Sequence, residues 1–326
     1  MDFNNRIFTI AGEDSFNEAA LEIFQFQYRL NEIYRKYFDS IGLKPSTILH
    51  YKEIPFLPVS FFKTHKIVSG EGEPGRVFQS SGTTGTERSR HPVLDLQVYR
   101  ESLRKGFEIF YGPLKDYDIF ALTPAPEQSP DSSLVFMISQ WIQVSGTEIS
   151  GFYLDRQEVL SQILENITRT GRKSLLIGLS YSLLDFAEKY PVSLPGTIIM
   201  ETGGMKGKRK EMIREELHGI LTERFSCKVI HSEYGMTELL SQAYSKGKGL
   251  FKTPPWMKIL VREPTDPFEL LPDGKTGGIN IIDLANYHSC SFIATQDLGK
   301  IHEDGKFEVL GRFDFSDLRG CNLMIG

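Results

Sequence analysis

Ser174-Leu175-Leu176-Ile177-Gly178-Leu179 is the stretch that decides the fold, because a short, almost wholly apolar run predicts a strand. A helix is predicted next, around residues 183–190, and another apolar strand follows at residues 197–200. Strand, helix and strand in this order indicate a parallel sheet whose faces are covered by helices.

The same alternation continues on both sides of this unit. Further strands are predicted at residues 117–122 and 228–231, and further helices at residues 134–144, 157–168 and 208–224. Near the N-terminus, Ser15-Phe16-Asn17-Glu18 has the pattern of a capping box, which predicts one long helix ending at Gly42. We therefore predict an α/β protein with a mostly parallel, helix-covered sheet.

The pattern changes after Pro254-Pro255, where short strands are separated by turns. The predicted strands are at residues 259–261, 278–283, 292–294 and 307–310. They indicate a small antiparallel or barrel-like subdomain. We therefore divide the chain into an α/β region with its N-terminal helix, residues 1–253, and a β-rich subdomain with a short tail, residues 254–326.

Composition limits the classes of partner. The chain has 326 residues and 40% hydrophobic content, which is enough for a large core. Its net charge of −5 and pI of about 5.9 give no general attraction for nucleic acid or an anionic membrane. We see neither a bilayer-spanning apolar run nor a signal-peptide pattern after Met1, so the sequence predicts a soluble, cytoplasmic protein.

Two segments far apart in the chain indicate a nucleotide site. Ser80-Ser81-Gly82-Thr83-Thr84-Gly85 is a loop whose backbone N–H groups and hydroxyls can approach phosphate oxygens. Tyr234-Gly235-Met236-Thr237-Glu238 offers a ring that can cover a purine and a carboxylate that can bind Mg²⁺. Taken singly, the loop can be a polar turn, Tyr234 a core residue and Glu238 a helix cap.

Three more segments follow strands or lie near them. Gly203 and Gly204, in Glu201-Thr202-Gly203-Gly204, leave room for a flat base or simply form a turn. Asp297 can accept hydrogen bonds from both ribose hydroxyls or make a turn with Gly299. Arg312 can bind ribose or phosphate, or pair with Asp314. In this order, the five segments predict that the chain binds ATP with Mg²⁺.

The set of glycine loop, Gly-Gly, Tyr-Gly-x-Thr-Glu, Thr-x-Asp and Gly-Arg-x-Asp resembles the adenylate-forming superfamily of acyl- and aryl-CoA ligases and peptide-synthetase adenylation domains. Within it, the chain is similar to the LuxE-type acyl-protein synthetases and, more distantly, to phenylacetate-CoA ligases. The run Pro-Phe-Leu-Pro-Val-Ser-Phe-Phe-Lys, at residues 55–63, is similar to a LuxE-type segment. The resemblance extends from there to the C-terminus and implies the fold of the adenylate-forming N-terminal domain.

The resemblance also implies roles for individual residues. Residues 80–85 would bind the ATP phosphates, Thr237 would contact the α-phosphate and Glu238 would ligate Mg²⁺. The remaining implied roles concern the nucleoside. Gly203, Gly204 and Tyr234 would line the adenine, Asp297 would bind the ribose with Arg312 nearby, and Gly235 would be a further cofactor-binding residue.

Two departures from the family pattern stand out. The ligase loop usually ends in Lys, whereas Thr86-Glu87-Arg88-Ser89-Arg90 supplies only arginines, which differ in reach and donor geometry. CoA ligases also continue into a small mobile domain whose lysine completes adenylation, and this sequence ends at Gly326. The LuxE-type proteins lack that domain too, and they transfer the acyl group to a cysteine of their own near the C-terminus.

Cys321 is the matching position. Arg319 would favour its thiolate and Gly320 would give the backbone freedom, although an incidental surface thiol is the alternative. Cys227 and Cys290 are predicted to be structural. We therefore expect activation of a carboxylic acid, most simply a fatty acid, as acyl-adenylate, with transfer to Cys321 and onward to a partner such as a reductase or a carrier protein.

Two alternatives stay open at this point. An acyl-CoA or acyl-carrier-protein ligase would use an external thiol, and Cys321 would then be idle. A non-catalytic nucleotide-binding relative would bind ATP without releasing pyrophosphate. The apolar segment from Leu134 to Trp141 can line a fatty-acyl pocket, but it is equally suited to the core.

Overall fold

Among the residues that the structure describes, twelve hydrogen-bonded strands form one sheet, and two others form a separate ladder. The computed structural model describes residues 3–81, 87–167, 171–204, 208–210 and 212–313. Within these residues the strands are β1 Leu57–Pro58, β2 Arg76–Gln79, β3 Arg90–Val93, β4 Tyr117–Leu122, β5 Gly151–Phe152, β6 Lys173–Leu179, β7 Thr197–Thr202, β8 Ile230–Tyr234, β9 Ala243–Ser245, β10 Phe251–Lys252, β11 Met257–Arg262, β12 Thr276–Asp283, β13 Phe292–Ile301 and β14 Phe307–Arg312. The helices are α1 Phe3–Ile7, α2 Glu13–Leu30, α3 Glu32–Ser40, α4 Phe61–Thr64, α5 Leu96–Tyr111, α6 Ser133–Ser145, α7 Gln157–Glu165, α8 Ser180–Lys189 and α9 Arg214–Phe225.

The sheet has a parallel half and a mostly antiparallel half. Its order is β11-β12-β13-β14-β10-β9-β8-β7-β6-β4-β5, and β1 pairs with β13 outside this path. Strands β5, β4, β6, β7 and β8 are parallel, whereas the neighbours from β8 to β11 pair antiparallel. The predicted α/β class, with parallel strands followed by antiparallel ones, is confirmed. The boundary predicted after residue 253 lies between β10 and β11 of this sheet and stays a prediction.

The parallel strands are buried on both faces. In β4, Ile119 and Ala121 belong to one apolar cluster with α5 and α6, whereas Phe120 and Leu122 belong to a second cluster with α7, α8 and α9. Side chains of a strand alternate between the two faces of a sheet, so two layers of helices cover these strands. None of the helices in the described residues is long and apolar enough to cross a membrane.

The N-terminal helix prediction was wrong in two respects. The helix begins at Glu13, and Ser15 accepts a hydrogen bond from the Gly12 N–H instead of forming the N-cap itself. The predicted single helix is also two helices, α2 and α3, because Asn31 ends the first and caps the second by accepting from the Tyr34 N–H. The Asn31 amide also donates to the Ser289 carbonyl, which fixes the break against the sheet.

Helix α9 begins at Arg214, later than the predicted residue 208. Arg209, which precedes it, pairs with Asp185 and Glu188 on α8. Arg209 therefore packs against the preceding helix α8 instead of lying in the first turn of α9.

Candidate active site

A cavity of about 710 Å³ opens at the C-terminal ends of β7 and β8. Ligands of α/β proteins usually bind at this edge of the sheet. Residues of four of the five predicted segments line it: Ser80, Ser81, Gly203, Gly204, Gly235, Thr237, Glu238 and Arg312. The fold thus brings together residues that lie more than two hundred positions apart in the sequence.

The two ends of the glycine loop are fixed to each other. The β2–β3 ladder approaches the loop from both sides, and the Ser80 N–H donates to the Ser89 carbonyl at 3.1 Å. The Ser89 N–H donates in return to Ser80 Oγ at 3.0 Å. The predicted phosphate-binding residues Gly82, Thr83, Thr84 and Gly85 lie outside the described residues.

Behind the glycine pair lies a buried carboxylate. Gly203 has a φ of +66°, a conformation that favours glycine, and it follows directly after β7. On the same strand, Glu201 lies 3.5 Å from His218 Nε2 and 3.7 Å from Arg214 Nε. Burial opposes its ionisation, yet His218, Ser232 and Arg214 together lower the pKa of Glu201. Glu201 therefore links the glycine turn to α9.

Thr237 and Glu238 lie in a turn, so the helix considered for this segment is not formed. The carbonyl of Thr237 lies 2.7 Å from His91 Nδ1, and the Asn286 amide donates to the carbonyl of Glu238 at 2.8 Å. Asp283 accepts from the N–H groups of Leu240 and Ser241 immediately afterwards. Side chains from β3 and from the end of β12 therefore hold the backbone of the turn.

The Glu238 carboxyl is suited to a divalent cation. It is buried, lines the cavity and makes no ion pair with any Lys, Arg or His in the described part of the chain. Burial raises its pKa, and a hydrogen bond with Ser89 acts in the opposite direction. Mg²⁺ is commonly bound through one or two carboxylates together with substrate phosphates, so a single protein carboxylate fits this ion.

Tyr234, Asp297 and Arg312 form one hydrogen-bonded group. The Tyr234 hydroxyl donates to Asp297 Oδ2 at 2.7 Å, and Arg312 Nε donates to Asp297 Oδ1 at 3.3 Å. The Tyr234 ring packs against Phe251 and Phe307, with centroids 5.9 and 5.7 Å away. Tyr234 and Asp297 are not part of the cavity wall, whereas their neighbours Gly235, Gln296 and Arg312 are. The predicted ribose and adenine contacts at Tyr234 and Asp297 stay predictions.

The sequence interpretation missed Lys63 as a site residue. Strand β1 pairs with β13 in parallel, and the Val59 N–H donates to the Ala294 carbonyl at 2.9 Å. This pairing brings α4, which follows β1, towards the middle of β13, where Gln296 lies. Lys63 therefore lines the cavity. The only signal for it in the sequence was its place in the run at residues 55–63.

It also missed polar residues beside the known motifs. Glu233 precedes the Tyr-Gly-x-Thr-Glu segment, Gln242 follows it, and both line the cavity. From the apolar helix, Leu134 and Met137 reach the cavity wall, but Trp141 is buried and donates to the Leu103 carbonyl at 3.3 Å. The segment that was considered for an acyl pocket is thus shared between the cavity and the core.

Two of the three cysteines lie within the described residues. Cys227 and Cys290 are buried and free, and burial raises the pKa of both thiols, that of Cys290 to about 12. Both are therefore poor nucleophiles at neutral pH. Cys321 and Asp314 lie outside the described residues.

Solved structures resemble this chain in fold. The open conformation of 2-hydroxyisobutyryl-CoA ligase in complex with 2-HIB-AMP and CoA matches with a TM-score of 0.66 and 13% identity, over 93% of this chain and 70% of that one. The same ligase in the thioesterification state, also with 2-HIB-AMP and CoA, matches with a TM-score of 0.64 and 14% identity, over 95% and 70%. ATP-bound MatB from Rhodopseudomonas palustris matches with a TM-score of 0.55 and 15% identity, over 74% and 49%, so the matched region is about half the length of MatB.

Comparisons by sequence gave nothing further: no family model and no curated protein matches the chain. At 13–15% identity the structural matches show the fold alone. That fold is the N-terminal domain fold of adenylate-forming enzymes, as the sequence predicted.

Proposed function

We propose that this protein activates a carboxylic acid with ATP, forming an acyl-adenylate and releasing pyrophosphate. The observation that supports this best is the convergence of Ser80, Ser81, Gly203, Gly204, Gly235, Thr237, Glu238 and Arg312 on one cavity. The fold agrees with it, since MatB was solved with ATP and 2-hydroxyisobutyryl-CoA ligase with 2-HIB-AMP.

Formation of the acyl-adenylate requires mainly that the protein position the acid and ATP and neutralise the charge of the phosphates. One oxygen of the acid attacks the α-phosphorus, the bond from that phosphorus to the bridging oxygen breaks, and pyrophosphate leaves with the electron pair. No proton has to move in this step. The Ser80 and Ser81 region would bind phosphate oxygens, and Thr237, in the turn held by His91 and Asn286, would lie near the α-phosphate. Mg²⁺ held by Glu238 would offset the negative charge of the phosphates.

Lys63 is the side chain that we assign to the triphosphate. Among the described residues that line the cavity, the cationic side chains are Lys63 and Arg312. Arg312 already pairs with Asp297, whereas no hydrogen bond or ion pair of the Lys63 ammonium is present in the described chain. Three carboxylates, Glu87, Glu233 and Glu238, face the same cavity, so a polyanion needs this positive charge.

We further propose that the acyl group passes to the Cys321 thiol, which attacks the mixed anhydride and displaces AMP. The thioester would then supply a partner protein, such as a reductase or a carrier protein. Support comes from Arg319 and Gly320 beside Cys321 and from the burial of Cys227 and Cys290, which leaves neither of those thiols free to react. An external thiol is the second candidate, because 2-hydroxyisobutyryl-CoA ligase was solved with CoA.

The test is carboxylate-dependent pyrophosphate release with Mg-ATP, followed by the intact mass of the protein. We expect release with a suitable acid and an acyl adduct that hydroxylamine removes. Cys321→Ala should keep the release and lose the adduct, whereas the control Cys227→Ala should keep both. Pyrophosphate release without an adduct, together with turnover that is restored by added CoA or carrier protein, would favour the external thiol. ATP binding without release from any acid would contradict the proposal.

A further inference from the structure

Part of the cavity wall consists of polar side chains that have no role in the proposed reaction with ATP. We call Thr202, Glu233 and Gln242 the inner wall. Thr202 and Glu233 are paired in register on the parallel strands β7 and β8, and Thr202 Oγ1 donates to Glu233 Oε2 at 2.5 Å. Gln242 comes just before β9, which pairs with β8 antiparallel. Three neighbouring positions of the sheet therefore present polar side chains at one place.

The inner wall lies directly beside the phosphate motif. A Cβ placed on Gly235 would lie 2.6 Å from Glu233 Oε1 and 3.3 Å from Gln242 Cγ. Both side chains are thus packed against the backbone that leads to Thr237 and Glu238. A carboxylic acid that reaches the α-phosphorus near Thr237 therefore has the inner wall within reach of its remaining atoms.

These groups are buried and incompletely paired. Gln242 is 4% exposed, and its Oε1 has no hydrogen-bond partner among the described residues. Glu233 is 8% exposed and forms no ion pair with a described residue; burial, with a contribution from Glu201, raises its pKa to about 7. Buried polar groups in folded proteins are almost always paired, and leaving one unpaired costs free energy. The unpaired Gln242 oxygen and the Glu233 carboxyl, which is bonded through one oxygen, therefore make this wall suited to a ligand that bears a hydrogen-bond donor.

We propose that the acid substrate bears a hydroxyl or amino group that hydrogen-bonds to Glu233 and Gln242, rather than an unsubstituted alkyl chain. The inference rests on the proposed function, whose substrate class it narrows. Glu233 Oε2 already accepts from Thr202, so Oε1 and the Gln242 oxygen remain as acceptors for a donor on the substrate. An alkyl chain at this place would leave the buried Gln242 oxygen unpaired and Glu233 with its bond from Thr202 alone. Sites that bury polar groups for a substrate donor reject analogues without that donor strongly.

The experiment compares matched acids that differ by one donor. One series is propanoate, lactate and alanine, the other is butanoate, 4-hydroxybutanoate and 4-aminobutanoate, and hexadecanoate represents fatty acids. We expect kcat/KM for pyrophosphate release to be at least about 100-fold higher for a donor-bearing acid than for its unsubstituted counterpart. Equal or better turnover of the unsubstituted acids, hexadecanoate included, would overturn the inference while leaving the proposed function intact.

Substitutions in the inner wall distinguish recognition of the acid substrate from a purely structural role. Gln242→Met should lower kcat/KM about 10-fold or more for the preferred donor-bearing acid and leave the unsubstituted acid unaffected. Gln296→Met makes the same change on another part of the cavity wall, so it should affect both acids equally. Glu233→Gln should lower kcat/KM for an amino acid substrate roughly 100-fold, because the negative charge is lost. It should lower kcat/KM for a hydroxy acid less than about 10-fold. Equal losses for both acids in Gln242→Met would overturn the inference.

A direct binding measurement decides the question if no acid gives release. The proposed function would then be refuted, and the same acids would be titrated calorimetrically with a non-hydrolysable ATP analogue present. Binding of a donor-bearing acid to the natural protein but not to Gln242→Met would support the inner-wall inference. Equal binding of donor-bearing and unsubstituted acids would refute it.

Discussion

Replacing Glu233 by Gln tests the electrostatics of the cavity without depending on any ligand. Burial raises the pKa of Glu233 from its ordinary value of 4.5 to about 7, Glu201 adds to this shift, and the bond from Thr202 opposes it. The folded protein therefore keeps this proton over a pH range in which the unfolded chain has released it. The stabilising contribution is fully present below pH 4.5 and is lost as the pH rises through 7.

The size of the effect follows from these two pKa values. Integrating the difference in bound protons between pH 5 and pH 8 gives about 2–3 kcal/mol. Glutamine is uncharged throughout and of nearly the same shape. The unfolding free energy of Glu233→Gln, relative to the natural protein, should therefore rise by about 2–3 kcal/mol over this pH range.

Urea unfolding followed by tryptophan fluorescence measures this difference. Trp141 and Trp256 are fully buried, so their emission reports loss of the core. Glu87→Gln provides the control, because Glu87 lines the same cavity but is exposed. A difference between Glu233→Gln and the natural protein that stays constant from pH 5 to pH 8 would refute the reasoning, as would an equal pH dependence in the control.

Three further predictions concern the active site. Glu238→Gln should lower Mg²⁺-dependent pyrophosphate release about 100-fold or more while leaving the protein folded, which a Mg²⁺ titration of the rate and a circular dichroism spectrum would check. Lys63→Ala should lower kcat/KM for ATP about 10- to 100-fold, whereas the control Lys66→Ala, at an exposed position outside the cavity wall, should not change it. Asp283→Ala should lower the unfolding free energy by about 2–4 kcal/mol, because the N–H groups of Leu240 and Ser241 lose a buried acceptor; an unchanged melting temperature would contradict this.

The sequence predicted the fold well where the pattern is local and apolar. Strand β4 was predicted with the observed bounds, and β6 and β7 within two residues, because strands buried on both faces must be almost wholly apolar. The break between α2 and α3 was missed because it depends on Asn31 meeting Ser289, a residue 258 positions away. A helical period continues through Asn31 in the sequence, so a residue suited to an N-cap was a weaker signal than the period.

The residues that we propose to bind the nucleotide could be selected from the sequence for a different reason. Glycines and hydroxyl residues at strand ends serve few purposes other than turns and anion binding, so residues such as Gly203, Thr237 and Glu238 could be selected from the sequence. Lys63 could not, because only the pairing of β1 with β13 brings it to the cavity, and a lysine in an exposed helix has no distinguishing pattern.

The residues that we propose to bind the acid, Glu233 and Gln242, could not be selected from the sequence. Glu233 and Gln242 lie among apolar and motif residues, and only the register of β7, β8 and β9 shows that they meet in a buried place. Polar groups whose burial lowers stability are concentrated at functional sites. One substitution there changes stability and activity in opposite directions. Glu233→Gln should accordingly raise stability at pH 8 and lower turnover of the donor-bearing acid. If it raises stability and leaves selectivity among the acids unchanged, Glu233 is a buried carboxyl without a part in recognition.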